Sequence, residues 1–191
     1  MPVNPSHLDA RQTRSRVALH DALERLVDAG GLPLVTISAL AREAGVGRPV
    51  FYRLYDDIDA LLADRLSIDL DEQMRIAEER HRITGPSLSV LRAATIFSLQ
   101  AIATRPKLYR AMLGGGGINA ITVFRRQVER LTTLAPPPTG ALTDVPGDLR
   151  TALIASAVSG FMLSWLEGGC RPPVEDAATM LETMLGGAWR L

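Results

Sequence analysis

The chain has 191 residues, 47% of them hydrophobic, and its 21 basic residues balance its 21 acidic residues. This length allows one substantial core, or a small head domain followed by a larger body. The single cysteine, Cys170, excludes an intramolecular disulfide and a cysteine-based metal site. No segment resembles a signal peptide, and serine and glycine interrupt the longest apolar stretch, 152–166. We therefore expect a cytoplasmic protein with no membrane partner.

The first predicted helix runs from about Asp9 to Ala29. Its apolar residues recur at helical spacing, and Gly30 and Gly31 end it. Residues 1–55 contain seven arginines and five acidic residues, so positive charge is concentrated here although the whole chain is neutral. A basic N-terminal region is what binding to a nucleic-acid backbone requires.

Residues 36–55 have the pattern of two short helices joined by a glycine-bearing turn. Thr36 is a predicted N-cap of the first helix, and Gly45 can end that helix in the left-handed conformation. Pro49 is tolerated only in a first turn, so the second helix begins near Gly47 or Arg48. The pattern predicts a helix-turn-helix, which places its second helix in the DNA major groove.

The segment TISALAREAGVGRPVFYRLYDDIDALL resembles the N-terminal domain of TetR-type transcriptional regulators, and the close resemblance covers about residues 12–62. Three positions depart from that family. Gly47 stands where a serine N-cap is more frequent, Leu54 where histidine is common, and Ile58 where a lysine usually helps to hold the DNA backbone. The resemblance implies an all-helical protein of about nine helices. Its helix-turn-helix DNA-binding domain would span 1–60, and a ligand-binding and dimerisation domain would span 61–191.

The helix-turn-helix pattern and the family resemblance together predict the residues that contact DNA. We expect the second helix to read base edges, while the residues around it and a basic N-terminal arm hold phosphates. The base-facing residues are Arg48, Pro49 and Val50; Thr36, Tyr52 and Arg53 contact phosphates; Gly47 caps the helix; Arg11, Arg14 and Arg16 form the arm.

The rest of the chain reads as helices separated by glycine and proline breaks. The predicted helices are about Asp57–His81, Leu88–Thr104, Pro106–Leu113, Ile118–Leu134, Gly147–Gly168 and Val174–Ala188. Gly114–Gly117 is a predicted turn and Ala135–Pro146 a predicted loop. No strand precedes the four glycines and no GK[ST] follows, so a flexible connector is favoured over a phosphate cradle.

The family resemblance implies a small-molecule effector site in the body. Large, adaptable apolar side chains are the candidates to line it, although the same stripe also suits an ordinary core. These candidates are Phe97, Tyr109, Met112, Phe124, Met162 and Trp165.

The last two helices carry a second pattern. Small residues recur every fourth position from Ala152 to Gly168, which forms a ridge along which another helix can approach closely. We expect a homodimer contact here, as the end of TetR-type bodies implies, with packing inside one subunit as the alternative. The predicted interface residues are Ser156, Gly160, Ser164, Met180 and Met184.

No pattern favours an enzyme, a metal or a cofactor. His7, His20 and His81 are scattered, and no nucleophile elbow or dinucleotide motif occurs. The sequence thus predicts a homodimeric, sequence-specific regulator that binds a palindromic operator, a repressor released by an apolar or amphipathic effector. The alternative is a helical ligand-binding or protein-interaction module with weakened DNA binding, suggested by Ile58 and the acidic cluster at 56–59.

Overall fold

The protein, represented by a computed structural model, is described here for residues 5–84, 90–114, 118–134 and 145–184. Within these ranges the secondary structure is helical and no strand occurs, so the all-helical prediction is confirmed. The helices are α1 Pro5–Gly30, α2 Ile37–Glu43, α3 Arg48–Leu54, α4 Ile58–Thr84, α5 Val90–Thr104, α6 Pro106–Gly114, α7 Ile118–Leu134, α8 Gly147–Glu167 and α9 Val174–Met184. A short 3-10 turn at Leu32–Leu34, which the sequence did not predict, joins α1 to α2.

The chain divides into two compact units, Met1–Arg65 and Leu66–Leu191. The division falls within α4, a few residues after the boundary at 60 that the sequence suggested. Each unit is described separately below.

The first unit is a bundle of α1, α2, α3 and the start of α4. Leu19, Leu23 and Val27 are fully buried and lie at four-residue spacing, so they form one face of α1. Phe51 of α3 and Leu61 of α4 are also fully buried in this unit. Helix α1 is described from Pro5, four residues before the predicted start at about Asp9.

The second unit is organised around α8. This helix packs against α5, α6, α7 and α9, and its buried residues include Ile154, Met162, Trp165 and Leu166. Helices α6 and α7 lie close to their predicted limits. The predicted loop residues 135–144, the glycines 115–117 and the end of the last predicted helix lie outside the described residues.

Helix α8 is long and apolar enough to cross a membrane by length and composition. The serines and glycine that interrupt this segment therefore do not exclude a membrane-spanning helix, contrary to the expectation from the sequence. A core helix of a helical protein passes the same test, and α8 buries one face against four neighbouring helices. We interpret α8 as the central helix of the second unit.

Candidate nucleic-acid interface

The turn between α2 and α3 has the geometry that the sequence predicted. The Thr36 hydroxyl accepts a hydrogen bond of 3.1 Å from the amide of Ala39 and so caps α2. Gly45 has a φ of +65°, and the amide of Val46 then donates to the carbonyl of Ala41 at 2.9 Å. A Cβ at Gly45 would meet no atom within 4 Å, so the left-handed backbone is what favours glycine here.

Helix α3 has one anchored side and one outward side. Phe51 is fully buried and stacks edge-on against Tyr52, with 5.8 Å between ring centroids. The Tyr52 side chain is 54% exposed, and Arg48, Pro49 and Arg53 are exposed as well. Gly47 precedes the helix in an extended conformation and supplies no side-chain cap. The outward side of α3 therefore presents two guanidinium groups, of Arg48 and Arg53, and the phenol of Tyr52 to a binding partner.

Two clefts separate α3 and the turn from the N-terminal half of α1. The larger has a volume of about 420 Å³ and is lined by Arg11 and Arg14 of α1 and by the turn residues 45–47. The smaller, of about 130 Å³, is lined by Arg11, Gln12 and Arg53 among others. Val50, which we predicted to face base edges, is half-buried and lines both clefts together with residues of α1. Arg11 and Arg14 lie beside α3, on a helix and not on an extended arm.

Arg16 does not share this location. Its guanidinium forms a two-point ion pair with Asp64 of α4, in which Nε donates to Oδ2 at 2.7 Å and Nη2 donates to Oδ1. Successive residues of a helix are about 100° apart, so Arg16 lies nearly opposite to Arg14 on α1. The structure thus separates Arg16 from the other two predicted arm residues.

Asp64 receives two further hydrogen bonds. The Tyr55 hydroxyl donates to its Oδ2 at 2.6 Å, and Nε2 of His20 lies 3.0 Å from the same oxygen. Burial alone would raise the pKa of Asp64, but the hydrogen bonds from His20, Arg16 and Tyr55 hold it well below its usual range. Burial and the bond to Asp64 raise the pKa of Tyr55, which remains a neutral donor at physiological pH.

Sequence reasoning missed this cluster. In the sequence, His20 is one of three scattered histidines, and Tyr55 lies in the segment that resembles the family, with no role of its own indicated. Arg16 and His20 are four residues apart and so share a face of α1, which was the available signal. Nothing in the sequence indicates that Asp64, 44 residues later, meets that face.

The acidic residues at the start of α4 have separate roles. Oδ1 of Asp57 accepts from the amide of Ala60 at 2.7 Å, which is an N-cap bond, and Asp56, Asp57 and Asp59 are all exposed. Ile58, at the position where the family resemblance places a lysine, is half-buried. The acidic cluster therefore contains one structural cap and two outward carboxylates.

The predicted effector residues lie mostly in the core of the second unit. Tyr109, Met112, Phe124, Met162 and Trp165 are buried, whereas Phe97 is half-buried with the Arg80 guanidinium 5.6 Å from its ring centroid. The Tyr109 hydroxyl donates to the buried Asp69 at 2.8 Å, and Arg105 donates to the same carboxylate at 2.9 Å. Trp165 Nε1 donates to the Pro172 carbonyl at 2.8 Å. The polar atoms of Tyr109 and Trp165 thus have partners within the fold.

The predicted dimer residues lie on the surface. Ser156, Gly160 and Ser164 are exposed, and a Cβ at Gly160 would meet no atom within 4 Å. Large apolar side chains are exposed on the same two helices: Leu149 (59%), Leu153 (55%), Met180 (49%) and Met184 (71%). In the described part of the chain, the centre of the small-residue ridge is not covered by the same subunit.

Among the described residues, no group of three or more His, Cys, Asp or Glu side chains is arranged to hold a metal ion.

The structure combines a helix-turn-helix in a small first unit with a second unit that is built only of helices where it is described. Residues 19–64 match the family model of bacterial regulatory proteins, tetR family. This match lies within the N-terminal unit and confirms the resemblance seen in the sequence.

Solved structures extend the similarity in fold to about nine-tenths of the chain. A TetR transcriptional regulator from Streptococcus agalactiae 2603V has a TM-score of 0.62 and 18% identity, covering 95% of this chain and 99% of that one. A TetR transcriptional regulator from Rhodococcus sp. RHA1 has a TM-score of 0.61 and 17% identity, covering 88% and 93%. The transcriptional regulator FadR from Bacillus subtilis, in complex with stearoyl-CoA, has a TM-score of 0.54 and 12% identity, covering 90% and 98%. No curated protein matches the chain by sequence.

Proposed function

We propose that this protein is a homodimeric, sequence-specific DNA-binding regulator that represses transcription until a small apolar or amphipathic effector releases it. The outward side of α3 is the observation that carries the proposal. Arg48, Tyr52 and Arg53 are exposed around the buried Phe51, in a helix-turn-helix that matches a DNA-binding family. Arginine can bond a guanine edge or a phosphate in two places, which makes Arg48 and Arg53 suitable for either contact.

The positive charge beside α3 supports DNA as the partner. Arg11 and Arg14 line the larger cleft next to the turn, and Arg53 lines the smaller one together with Arg11. Guanidinium groups flanking a helix-turn-helix are suited to the phosphates on either side of a major groove. Such contacts make the affinity salt-dependent, since each neutralised phosphate releases a counterion.

A second copy of this chain is the proposed partner of α8 and α9. One helix-turn-helix contacts too few bases for useful specificity, so two heads are needed about one helical turn of DNA apart. The exposed Leu153 and Met180 and the open surface at Gly160 favour a helix of a second subunit on this face. A twofold dimer in turn favours a palindromic operator.

The effector is proposed from the second unit and from one structural neighbour. Most of the buried side chains of α6, α7 and α8 in the described residues are apolar, with Met112, Met162 and Phe124 among them. Such side chains can repack around an apolar ligand. FadR from Bacillus subtilis, which shares the fold, was solved with stearoyl-CoA. We therefore favour an apolar or amphipathic small molecule, acting in the cytoplasm on a protein with no catalytic role.

Selection of bound sites from a pool of random duplexes tests the proposal. We expect enrichment of one inverted repeat, with half-site centres separated by about 10 base pairs or a multiple of that spacing. An Arg48→Ala variant carried through the same selection should lose the preference at one position in each half-site. Recovery of no common sequence would instead favour the alternative, a helical ligand-binding or protein-interaction module with weakened DNA binding. The exposed Asp56 and Asp59 and the missing lysine at Ile58 are what motivate that alternative.

A further inference from the structure

The Asp64 cluster joins three helices of the first unit at one carboxylate. Arg16 and His20 belong to α1, Tyr55 is the C-cap residue that directly follows α3, and Asp64 belongs to α4. Tyr55 is bound to α3 through its amide, which donates to the Phe51 carbonyl at 2.9 Å. Its hydroxyl then donates to Asp64 at 2.6 Å. The end of α3 is thereby fastened to α4, and Asp64 is in turn held by α1.

The side chains around Asp64 act as hydrogen-bond donors, and a carboxylate is the acceptor that they require. The Tyr55 hydroxyl uses its single proton on Asp64, so Nε2 of His20, 3.0 Å from both groups, must carry a hydrogen to bond to either. Arg16 supplies two further N–H donors to the two oxygens. His20 and Tyr55 are both buried, so water cannot easily replace Asp64 as their acceptor.

The same contacts place the aromatic anchor of α3. The Tyr55 ring lies 5.8 Å from the Phe51 ring, and Phe51 is the fully buried side chain that fixes the orientation of α3. A displacement of Tyr55 would therefore move the helix that carries Arg48 and Arg53.

We infer that Asp64 is a positioning residue for DNA recognition, and that Arg16 acts by holding Asp64 and not by contacting a phosphate. This inference rests on the proposed DNA-binding function. It assigns to Arg16 a role different from that of Arg11 and Arg14, which line the clefts beside α3.

For Asp64→Asn, the inference predicts a change in DNA affinity opposite to the change that charge alone would produce. Asp64→Asn removes a negative charge from the DNA-binding unit, which by charge alone should tighten binding to any duplex. An amide also has an N–H₂ group that faces the donors of Arg16, His20 and Tyr55, so the cluster would be disrupted. We therefore expect weaker binding to the preferred site. Asp59→Asn is the matched control, because Asp59 is an exposed carboxylate of the same helix.

Tyr55→Phe is the second variant, since it changes no charge and keeps the ring against Phe51. The experiment uses the full chain and two duplexes of equal length, one carrying the site selected by the wild type and one with that site scrambled. Tyr55→Phe and Asp64→Asn should each lower the preference for the site by about tenfold, the equilibrium effect of losing one hydrogen bond to a charged group. Affinity for the scrambled duplex should be unchanged or higher, and the Asp59→Asn control should keep the wild-type preference.

Arg16→Ala separates positioning from phosphate contact. The inference predicts that this variant loses preference for the site while its salt dependence on the scrambled duplex stays as in the wild type. Loss of a phosphate contact would reduce that dependence by about one counterion per subunit. That reduction would overturn the role assigned to Arg16, and tighter binding of Asp64→Asn to both duplexes would overturn the role of Asp64.

Amide hydrogen exchange in the DNA-free protein tests whether the bond between Tyr55 and Asp64 stabilises α3. In Tyr55→Phe, exchange should accelerate across Arg48–Leu54 and remain as in the wild type across Ile37–Glu43. Unchanged exchange in α3 would overturn the inference. If the wild type selects no DNA sequence, the proposed function fails, and the exchange result alone decides whether Asp64 positions α3.

Discussion

The Thr36 hydroxyl oxygen accepts a hydrogen bond of 3.1 Å from the backbone amide of Ala39, and this bond caps α2 at the entrance to the helix-turn-helix. Thr36 is exposed, and a hydroxyl can donate while it accepts. One side chain can therefore stabilise the helix and contact a DNA phosphate.

Two substitutions separate these roles of Thr36. Thr36→Ala removes both, and the lost cap should lower the free energy of unfolding by about 0.5–2 kcal/mol. Thr36→Asp keeps an N-cap acceptor and suits the helix dipole, but it repels phosphate. We expect wild-type stability in urea and weaker DNA binding from Thr36→Asp. Wild-type affinity in that variant would mean that Thr36 does not approach the backbone.

Ile58 is the departure from the family pattern with the clearest consequence for DNA. It is half-buried at the start of α4 and cannot neutralise a phosphate. Ile58→Lys should tighten binding and steepen the dependence of log K on log salt by about one counterion per subunit. Ile58→Met, a change of shape without charge, is the control. An unchanged salt slope in Ile58→Lys would place this position away from DNA.

The contacts around residue 36 were predictable because they are local. A cap, a left-handed glycine and a proline in the first turn each act within four residues, so Thr36, Gly45 and Pro49 specified the helix-turn-helix without tertiary information. The match over residues 19–64 confirms the family resemblance of this segment.

The Asp64 cluster was not predictable in the same way. Its bonds join residues 9 to 48 positions apart, and nothing local indicates that α1 and α4 meet at that register. The sequence predicts a phosphate contact for Arg16 because basic residues near the N-terminus suit binding to a nucleic-acid backbone. Its position on the helix, nearly opposite to Arg14, instead turns it toward α4. The sequence could not settle the role of the predicted effector residues either. Large apolar side chains at helical spacing suit an ordinary core as well as a ligand-binding cavity.

The low pKa of Asp64 makes the first unit sensitive to acid. The unfolded chain has an ordinary aspartate, so below about pH 4 it takes up a proton that the folded cluster resists, and stability falls as the pH falls. We expect the melting temperature of the wild type to decrease more steeply from pH 5 to pH 3 than that of Asp64→Asn. Parallel curves for the two proteins would show that Asp64 is not stabilised by its neighbours.

Gly160 tests the proposed dimer surface. A side chain there meets open space in the subunit, and leucine is a better helix former than glycine by roughly 0.5–1 kcal/mol. Gly160→Leu should therefore leave the subunit folded while it separates facing helices, and sedimentation velocity should show monomers. Ala103→Leu, at an exposed position of α5, is the control and should remain dimeric. A Gly160→Leu dimer with unchanged DNA affinity would place the interface elsewhere.

Substitution of Arg48 and substitution of Arg53 should weaken DNA binding in different ways. If Arg48 reads a base, Arg48→Ala should cost about 1–3 kcal/mol of binding free energy and relax the preference at one operator position. If Arg53 holds a phosphate, Arg53→Ala should weaken all sequences alike. Competition against duplexes with single base changes distinguishes the two. Equal, sequence-independent losses would reject the assignment of Arg48.

Equilibrium titration of the full chain with its selected duplex and with a scrambled duplex, over a series of salt concentrations, tests the central claim most directly. A sequence-specific regulator should prefer its site by about 10³-fold or more, and its affinity should fall linearly on a log–log scale as salt rises. Equal affinity for the two duplexes, or binding that ignores salt, would contradict the assignment of this protein as a DNA-binding regulator.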